Sequence, residues 1–174
     1  MSIEIDIGVS AEAWDGLDGL GELTRECIVA SLAESGASLV EGCEVSVTFC
    51  DDEEIRGLNA QWRGKDKPTN VLSFPTPGPL AARPLLGDIV IAYETVAREA
   101  GEQDKTLREH TGHMVIHGFL HLIGYDHETS AEAEEMESLE RRIASRLGLR
   151  DPYAGEAGGE GEAGELNEGH VDTI

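Results

Sequence analysis

Large aromatic side chains are scarce in this 174-residue chain: Phe, Trp and Tyr make up 5% of it. A core must therefore rest on Leu, Ile, Val and Ala. No apolar run approaches the roughly 18 residues that a membrane-spanning helix needs, so no membrane partner is expected. Cysteine is limited to Cys27, Cys43 and Cys50. An odd count without a C-x-x-C pair argues against a disulfide framework or a cysteine zinc site, and the three read as small buried hydrophobes. Met1 to Val9 has neither the basic start nor the apolar block of a secretory signal, so a cytoplasmic address is expected. Positive charge is also short. Lys and Arg total 13 against 35 Asp and Glu, for a net charge of −22. That sum alone disfavours a nucleic-acid partner.

The distribution of charge changes this picture. From Asp151 onward there are seven acidic residues and no Lys or Arg, which leaves −15 on the first 150 residues. Between Ile55 and Gly87, in contrast, Arg56, Arg63, Lys65, Lys67 and Arg83 face one acid, Asp66. A local positive patch suits either a phosphate-bearing substrate or a solvated loop. Residues 1–150 are expected to form one domain. Residues 151–174 read as an acidic, Gly- and Glu-rich disordered tail, too poor in apolar side chains to offset the entropy of ordering.

Hydrophobic periodicity predicts an α+β fold: a small mixed sheet of about four strands packed with about five helices. Ile3, Ile5, Ile7 and Val9 alternate with polar residues, as do Val45, Val47 and Phe49, so both segments read as strands. Short strands are also predicted over Val71–Phe74, which Pro75 should end, and over Ile89–Ile91. Helices are predicted over 12–34, from Asp51 to Trp62, over 94–100, over 105–122 and over 130–147. Asp51 with Glu54 three positions on is an Asp variant of the capping box. In the helix over 105–122, the inward face is expected to carry Leu107, His110, Met114, His117 and His121.

The chemistry concentrates at His117-Gly118-Phe119-Leu120-His121-Leu122-Ile123-Gly124-Tyr125-Asp126-His127. Histidines at i and i+4 share one helix face, so both rings can reach one metal. Gly124 tolerates the positive φ that stops a helix, and the reversal can return His127 to the same point. Three neutral nitrogens leave one tetrahedral position open, as at catalytic rather than structural zinc sites. The spacing equals that of metzincin peptidases, but Gly118 stands where their general-base glutamate belongs. Peptidase activity is therefore a runner-up only. His110 and His113 precede the run and are given structural roles.

These residues resemble the signature of the YbeY family, bacterial zinc-dependent endoribonucleases. Two further stretches agree: Leu58-Asn59 to Arg63 with Lys67-Pro68-Thr69-Asn70-Val71-Leu72-Ser73-Phe74-Pro75, and Leu86-Gly87-Asp88-Ile89-Val90-Ile91. The resemblance runs from about residue 3 to 150. It implies one Zn2+ held by His117, His121 and His127, and Arg63 as the functional arginine of the cleft, with Lys65 and Lys67 assisting in substrate binding. It also implies single-strand-specific cleavage in ribosomal RNA processing, namely 16S 3′ end maturation and ribosome quality control. The implied partners are ribosomal RNA and ribosomal particles, with small-subunit proteins and a ribosome-assembly GTPase. The chain departs from the family pattern at Asn70, where Asp is common, and in its acidic tail. A fixed guanidinium fits the charge that builds up in phosphodiester cleavage. A ribosome-assembly factor with an architectural zinc remains the alternative, since a charge of −22 suits protein contacts better than bare RNA.

Overall fold

In the computed structural model, which describes residues 2–154, four strands form one mixed sheet in the order β1-β2-β4-β3. β1 (Ile3–Val9) pairs in parallel with β2 (Cys43–Cys50), β2 in parallel with β4 (Leu85–Ala92), and β4 antiparallel with β3 (Val71–Pro75). Side-chain alternation assigns the two faces. Val45, Val47, Phe49, Val71, Ile89 and Ile91 join one large core with Leu23 and Ile28 of α1 (Leu20–Ser35), Met114 and Phe119 of α4 (Leu107–Leu122), and Leu139 and Ile143 of α5 (Ser130–Arg146). The opposite faces of β3 and β4 present Leu72, Phe74, Val90 and Ala92 to Ile55 and Leu58 of α2 (Asp52–Arg63). α3 (Tyr93–Glu102) leads from β4 towards α4, and its Val96 is in the large core.

The four strands, the five helices and the mixed sheet match the expected class. The departures are local. The helix expected over 12–34 splits into a 3-10 turn, Glu12–Gly16, and α1: Gly16 ends the first, and Gly19, with φ 73°, redirects the chain before the second, while Gly21 is accommodated inside α1. The break seats Trp14 in the core, where its Nε1 donates to the Cys50 carbonyl at 2.8 Å. Pro75 ends β3 as expected, and is itself the last residue of the strand, opposite Gly87. β3 is an edge strand, where the missing N–H is tolerated. β4 begins at Leu85, earlier than expected. Asp51 caps α2 by accepting from Glu54 N at 2.9 Å, but the Glu54 carboxylate accepts from Ser10 Oγ instead of closing a box. Full capping boxes occur at Thr106–Glu109 and Thr129–Glu132, the starts of α4 and α5.

The larger correction concerns α4. Every residue from His110 to Leu122 is buried, so this helix has no solvent face along that stretch. It runs through the middle of the molecule, against the sheet and against α1, α3 and α5. Packed structure also continues beyond residue 150, where the tail was expected to begin: Tyr153 is buried in the core. The rest of that expected tail, residues 155–174, lies outside the described residues. All three cysteines are free and buried, as the composition suggested. Burial pushes the Cys27 and Cys50 thiols up to about 12, well away from reactive thiolates.

α4 lies close on the sheet because residue 118 has no side chain. A Cβ there would sit 2.8 Å from Ile89 Cγ2 and 3.2 Å from Ser73 Oγ, whose hydroxyl donates to the Gly118 carbonyl at 3.0 Å. Alanine gains about 1 kcal/mol over glycine in a helix, but overpacking against a stiff β-branched residue costs about 1–3 kcal/mol. Taking the middle of that range, Gly118→Ala is expected to lower stability by about 1 kcal/mol in urea denaturation. A variant as stable as the parent would show that α4 shifts freely on the sheet.

Candidate metal centre

The three histidines of the sequence motif converge at the C-terminal end of α4. His121 Nε2 lies 3.1 Å from His117 Nε2 and 3.0 Å from His127 Nε2, and all three atoms lie within 4.8 Å of one another. The edge of a tetrahedron with zinc–nitrogen bonds of about 2.0–2.1 Å is about 3.3–3.4 Å, so the spacing is close to that of ligands around one small ion. His117 and His127 rings stack at 5.4 Å, and the His121 ring stands edge-on to both.

Local sequence explains the convergence. His117 and His121 lie one helical turn apart. α4 ends at Leu122, and Gly124 turns the chain with φ 106°. The Tyr125 amide returns to the Leu120 carbonyl at 3.0 Å. Asp126 Oδ1 then accepts from the His127 backbone N–H at 2.8 Å, which fixes the residue bearing the third ring. The same turn aims the Tyr125 carbonyl at His121 Nδ1, 2.9 Å away.

Those contacts set the protonation of the rings. A carbonyl only accepts, so His121 carries its proton on Nδ1 and presents a bare Nε2. His117 Nδ1 lies 2.7 Å from Glu140 Oε2, and a carboxylate also accepts, so His117 presents a bare Nε2 as well. Two lone pairs facing each other at 3.1 Å, on side chains 1% and 3% exposed, repel unless a cation lies between them. The donor set therefore fits a metal ion such as zinc: three imidazole nitrogens aimed at one point, with His117 oriented by Glu140 and His121 by the Tyr125 carbonyl.

Two buried carboxylates flank the rings, and neither was singled out in the sequence. Glu140 of α5 meets His117 Nδ1, His113 Nε2 at 3.2 Å and the hydroxyl of Tyr153. Burial alone would raise its carboxyl, but His117 and His113 outweigh that and hold it well below the usual carboxylate range. Glu99 of α3 takes His110 Nε2 at 2.9 Å and the Asn70 amide at 3.0 Å. Burial raises it too, and the hydrogen bonds from His110 and Asn70 prevail, keeping it below its ordinary value. The structural roles expected of His110 and His113 are thus specific ones. A visible signal existed: Glu140 falls among Met136, Leu139 and Ile143, on the apolar side of α5. Asn70 uses its oxygen on the Val71 amide and its nitrogen on Glu99. An ionised Asp there would set a second negative charge against Glu99.

The positive patch is smaller than its composition implied. Arg56 pairs with Asp66 at 2.8 Å, and Arg83 Nη1 donates to the Thr76 carbonyl at 2.8 Å. Arg63 is the last residue of α2, and its Nη1 lies 3.4 Å from Asn59 Oδ1. Asn59, fully buried, also donates to the Lys67 carbonyl at 2.8 Å, so one side chain organises both Arg63 and the turn that carries exposed Lys65 and Lys67. Arg63, Lys65 and Lys67 thus sit on the segment entering β3, and β3 touches α4 through Ser73 and Gly118. Position 118 faces Ile89 and Ser73, so a side chain there would enter the sheet packing instead of serving as a peptidase base.

The chain was compared with known proteins. The family model described as Endoribonuclease YbeY matches residues 17–148. A Methylocella silvestris protein named Endoribonuclease YbeY is 56% identical over 149 residues, covering 86% of this chain and 85% of its own length. Proteins of the same name from Azorhizobium caulinodans and Agrobacterium fabrum are each 49% identical, covering 87% and 89% of this chain and 97% of their own lengths. The solution structure of a Thermotoga maritima protein matches with a TM-score of 0.51 at 28% identity, covering 82% of this chain and 91% of that one.

The buried network carries a pH dependence. Burial pushes the His113 imidazole down to about 4, against the opposing pull of Glu140. Its Nδ1 is buried without a partner, as suits a neutral ring. A depressed value means that the unfolded chain takes up the proton first on acidification. Stability is full above about pH 6.5 and is lost as pH falls from there to about 4. In metal-free protein, His113→Gln should flatten the loss between pH 7 and 4.5 by on the order of 2 kcal/mol, read by urea denaturation at each pH. Parallel curves for the two proteins would place the acid sensitivity elsewhere.

Proposed function

The chain belongs to the YbeY endoribonuclease family, and from that premise we propose that it cleaves single-stranded ribosomal RNA with one zinc ion held by His117, His121 and His127. It is an endoribonuclease, a hydrolase of RNA phosphodiester bonds. The observation that carries the zinc reading is the pair of bare nitrogens, His117 Nε2 and His121 Nε2, aimed at each other and joined by His127 Nε2. When bound, zinc supplies Lewis-acid polarisation of oxygen at the reacting phosphate. The protein's own residues do the rest. The histidines fix the position and keep their proton-bearing nitrogens on the outer side. Arg63 places a guanidinium where charge develops on the phosphoryl oxygens, a bidentate partner that lysine does not replace. Lys65 and Lys67 hold the adjacent backbone by charge. Glu140 is held by three donors on the far side of His117, so it is no base for the reaction.

The proposed setting is the cytoplasm, with ribosomal particles as the substrate-bearing partner and 16S 3′ end maturation and quality control as the processing steps. Small-subunit proteins and an assembly GTPase are the proposed contacts that bring so acidic a protein to RNA. The net charge of −22 favours this delivery by protein contact. It also supports a second reading, an assembly factor whose metal is architectural. No described helix is long and apolar enough to cross a membrane.

Cleavage of a structured 16S ribosomal RNA fragment tests the proposal, using tag-free zinc-loaded protein, chelated protein, His121→Ala and Arg63→Ala, each confirmed as folded. Chelation and His121→Ala are expected to abolish cleavage. Arg63→Ala should lower the rate on the order of 10²-fold, the usual loss for one charge-stabilising donor. Equal cutting by all four samples would mark a contaminant. Binding to ribosomal particles without cleavage by any sample would favour the assembly factor.

A further inference from the structure

Among the groups left over by the proposed chemistry, the arrangement around Glu140 is the most fully determined. Its carboxylate is completely buried and receives three contacts from two segments: His113 and His117 of α4 at Oε2, and the Tyr153 hydroxyl at Oε1. Tyr153 is held in turn, with its ring edge-on to His113 at 5.3 Å and Arg141 over its other side at 5.1 Å. Its backbone N–H donates to Asp151 at 2.8 Å, which anchors the segment after α5.

Glu140, His113 and His117 lie close enough together to be considered a second metal site. The distances argue otherwise. Oε2 to His117 Nδ1 is 2.7 Å, the length of a charge-assisted hydrogen bond. Two ligands of one zinc ion stand about 3.3 Å apart. The His117–Glu140 gap has the length of a hydrogen bond and is too short for two bonds to one metal.

We infer that Glu140 is a positioning residue for the metal ligand His117: by accepting from Nδ1–H it locks the one tautomer whose Nε2 is free to bind zinc, and Tyr153 locks Glu140. The inference rests on the zinc reading of the three histidines. The opposite tautomer would put a proton on Nε2, pointed at His121, and the ion would lose a ligand. The negative charge also raises the basicity of the ring and so its strength as a ligand. His117 takes its orienting contact from α5, a separate helix, whereas His121 takes its own from the neighbouring Tyr125 carbonyl.

Glu140→Gln keeps the shape and removes the charge. Its amide offers His117 either an acceptor or a donor, so the tautomer is no longer fixed. His113 can switch tautomer to suit the amide, which lets the variant fold. Tyr153→Phe keeps the ring contacts and removes only the hydroxyl that holds Oε1. Two readouts separate positioning from a purely structural role. The first is zinc affinity by competition with a chromophoric chelator. Glu140→Gln is expected to bind 10–100-fold more weakly, the range for lost outer partners of histidine ligands, and Tyr153→Phe a few-fold more weakly. The second is the histidine ring 15N spectrum of metal-free protein at neutral pH. His117 should be the Nδ1–H form in the parent and a mixture in Glu140→Gln. Parent-like affinity and a pure Nδ1–H ring in a folded Glu140→Gln would overturn the inference. If that variant does not fold, an unchanged spectrum and affinity in Tyr153→Phe would overturn it instead. His121→Ala keeps the two failures apart: if it too binds zinc like the parent, the metal reading itself has failed.

Discussion

A buried carboxylate has to be matched by donors, and the layout of this molecule follows from two of them. An unpaired carboxylate in an apolar interior would cost several kcal/mol, so it either takes up a proton or gathers hydrogen bonds. Glu140 and Glu99 gather them. Each reaches α4 from a different neighbouring helix and ends on a histidine of that helix. From His110 to Leu122 α4 is buried all round, and apolar contacts, being non-directional, specify its rotation only weakly by themselves. The two carboxylates remove that freedom, because only one rotation lets His110 meet Glu99 while His113 and His117 meet Glu140. The close approach of Gly118 to β3 and β4 sets the height of the helix above the sheet. Its depth, rotation and axial position are therefore each fixed by a different contact, and His117 and His121 are carried along.

Much of this was legible in the sequence, for identifiable reasons. β1 and β2 announced themselves by alternation, and the start of α2 by Asp51, whereas the capping boxes at Thr106 and Thr129 emerged only in the structure. The three histidines were legible because helix geometry turns a spacing of four into adjacency, and a glycine three residues later announces a turn. All of that information is local. What stayed hidden was non-local. Nothing in the run from His117 to His127 says that a carboxylate 23 residues away completes it. Glu140 lies among the many acids of α5, and only its place on the apolar side marks it out. Tyr153 was lost because the acidic stretch around it reads as tail, although Lys105 also reaches that stretch, donating to the Pro152 carbonyl at 2.6 Å. The all-round burial of α4 was missed because its histidines and Glu109 give it the look of an amphipathic helix.

The basic segment shows the opposite error. Counting charges between Ile55 and Gly87 gave five cations and one anion, a patch by composition. In three dimensions Arg56 is committed to Asp66 and Arg83 to the chain turn at Thr76. Only structure tells which cations are scaffolding. Asn59, which sequence reading passed over, ties the end of α2 to the following turn and so holds Arg63, Lys65 and Lys67 as one group. In the same way Asn70 is a donor to Glu99, which explains why an amide is chemically well placed there.

The reversal at Gly124 closes the ligand set within eleven residues, and that brevity has a consequence for how an ion can act on the fold. The entropy of closing a loop grows only as the logarithm of its length, and a loop this short is already half-closed by the helix that contains most of it. An ion seated there pins one helix end and its turn, like a rivet through a single plate. It does not clamp together parts of the chain that would otherwise drift apart. Any tightening it brings passes to the remaining molecule through the Glu140 contact with α5 and through the packing of α4 on the sheet, α1 and α3. Because the ion fits only the folded arrangement of the three rings, its affinity nonetheless adds to the stability of the whole fold by mass action.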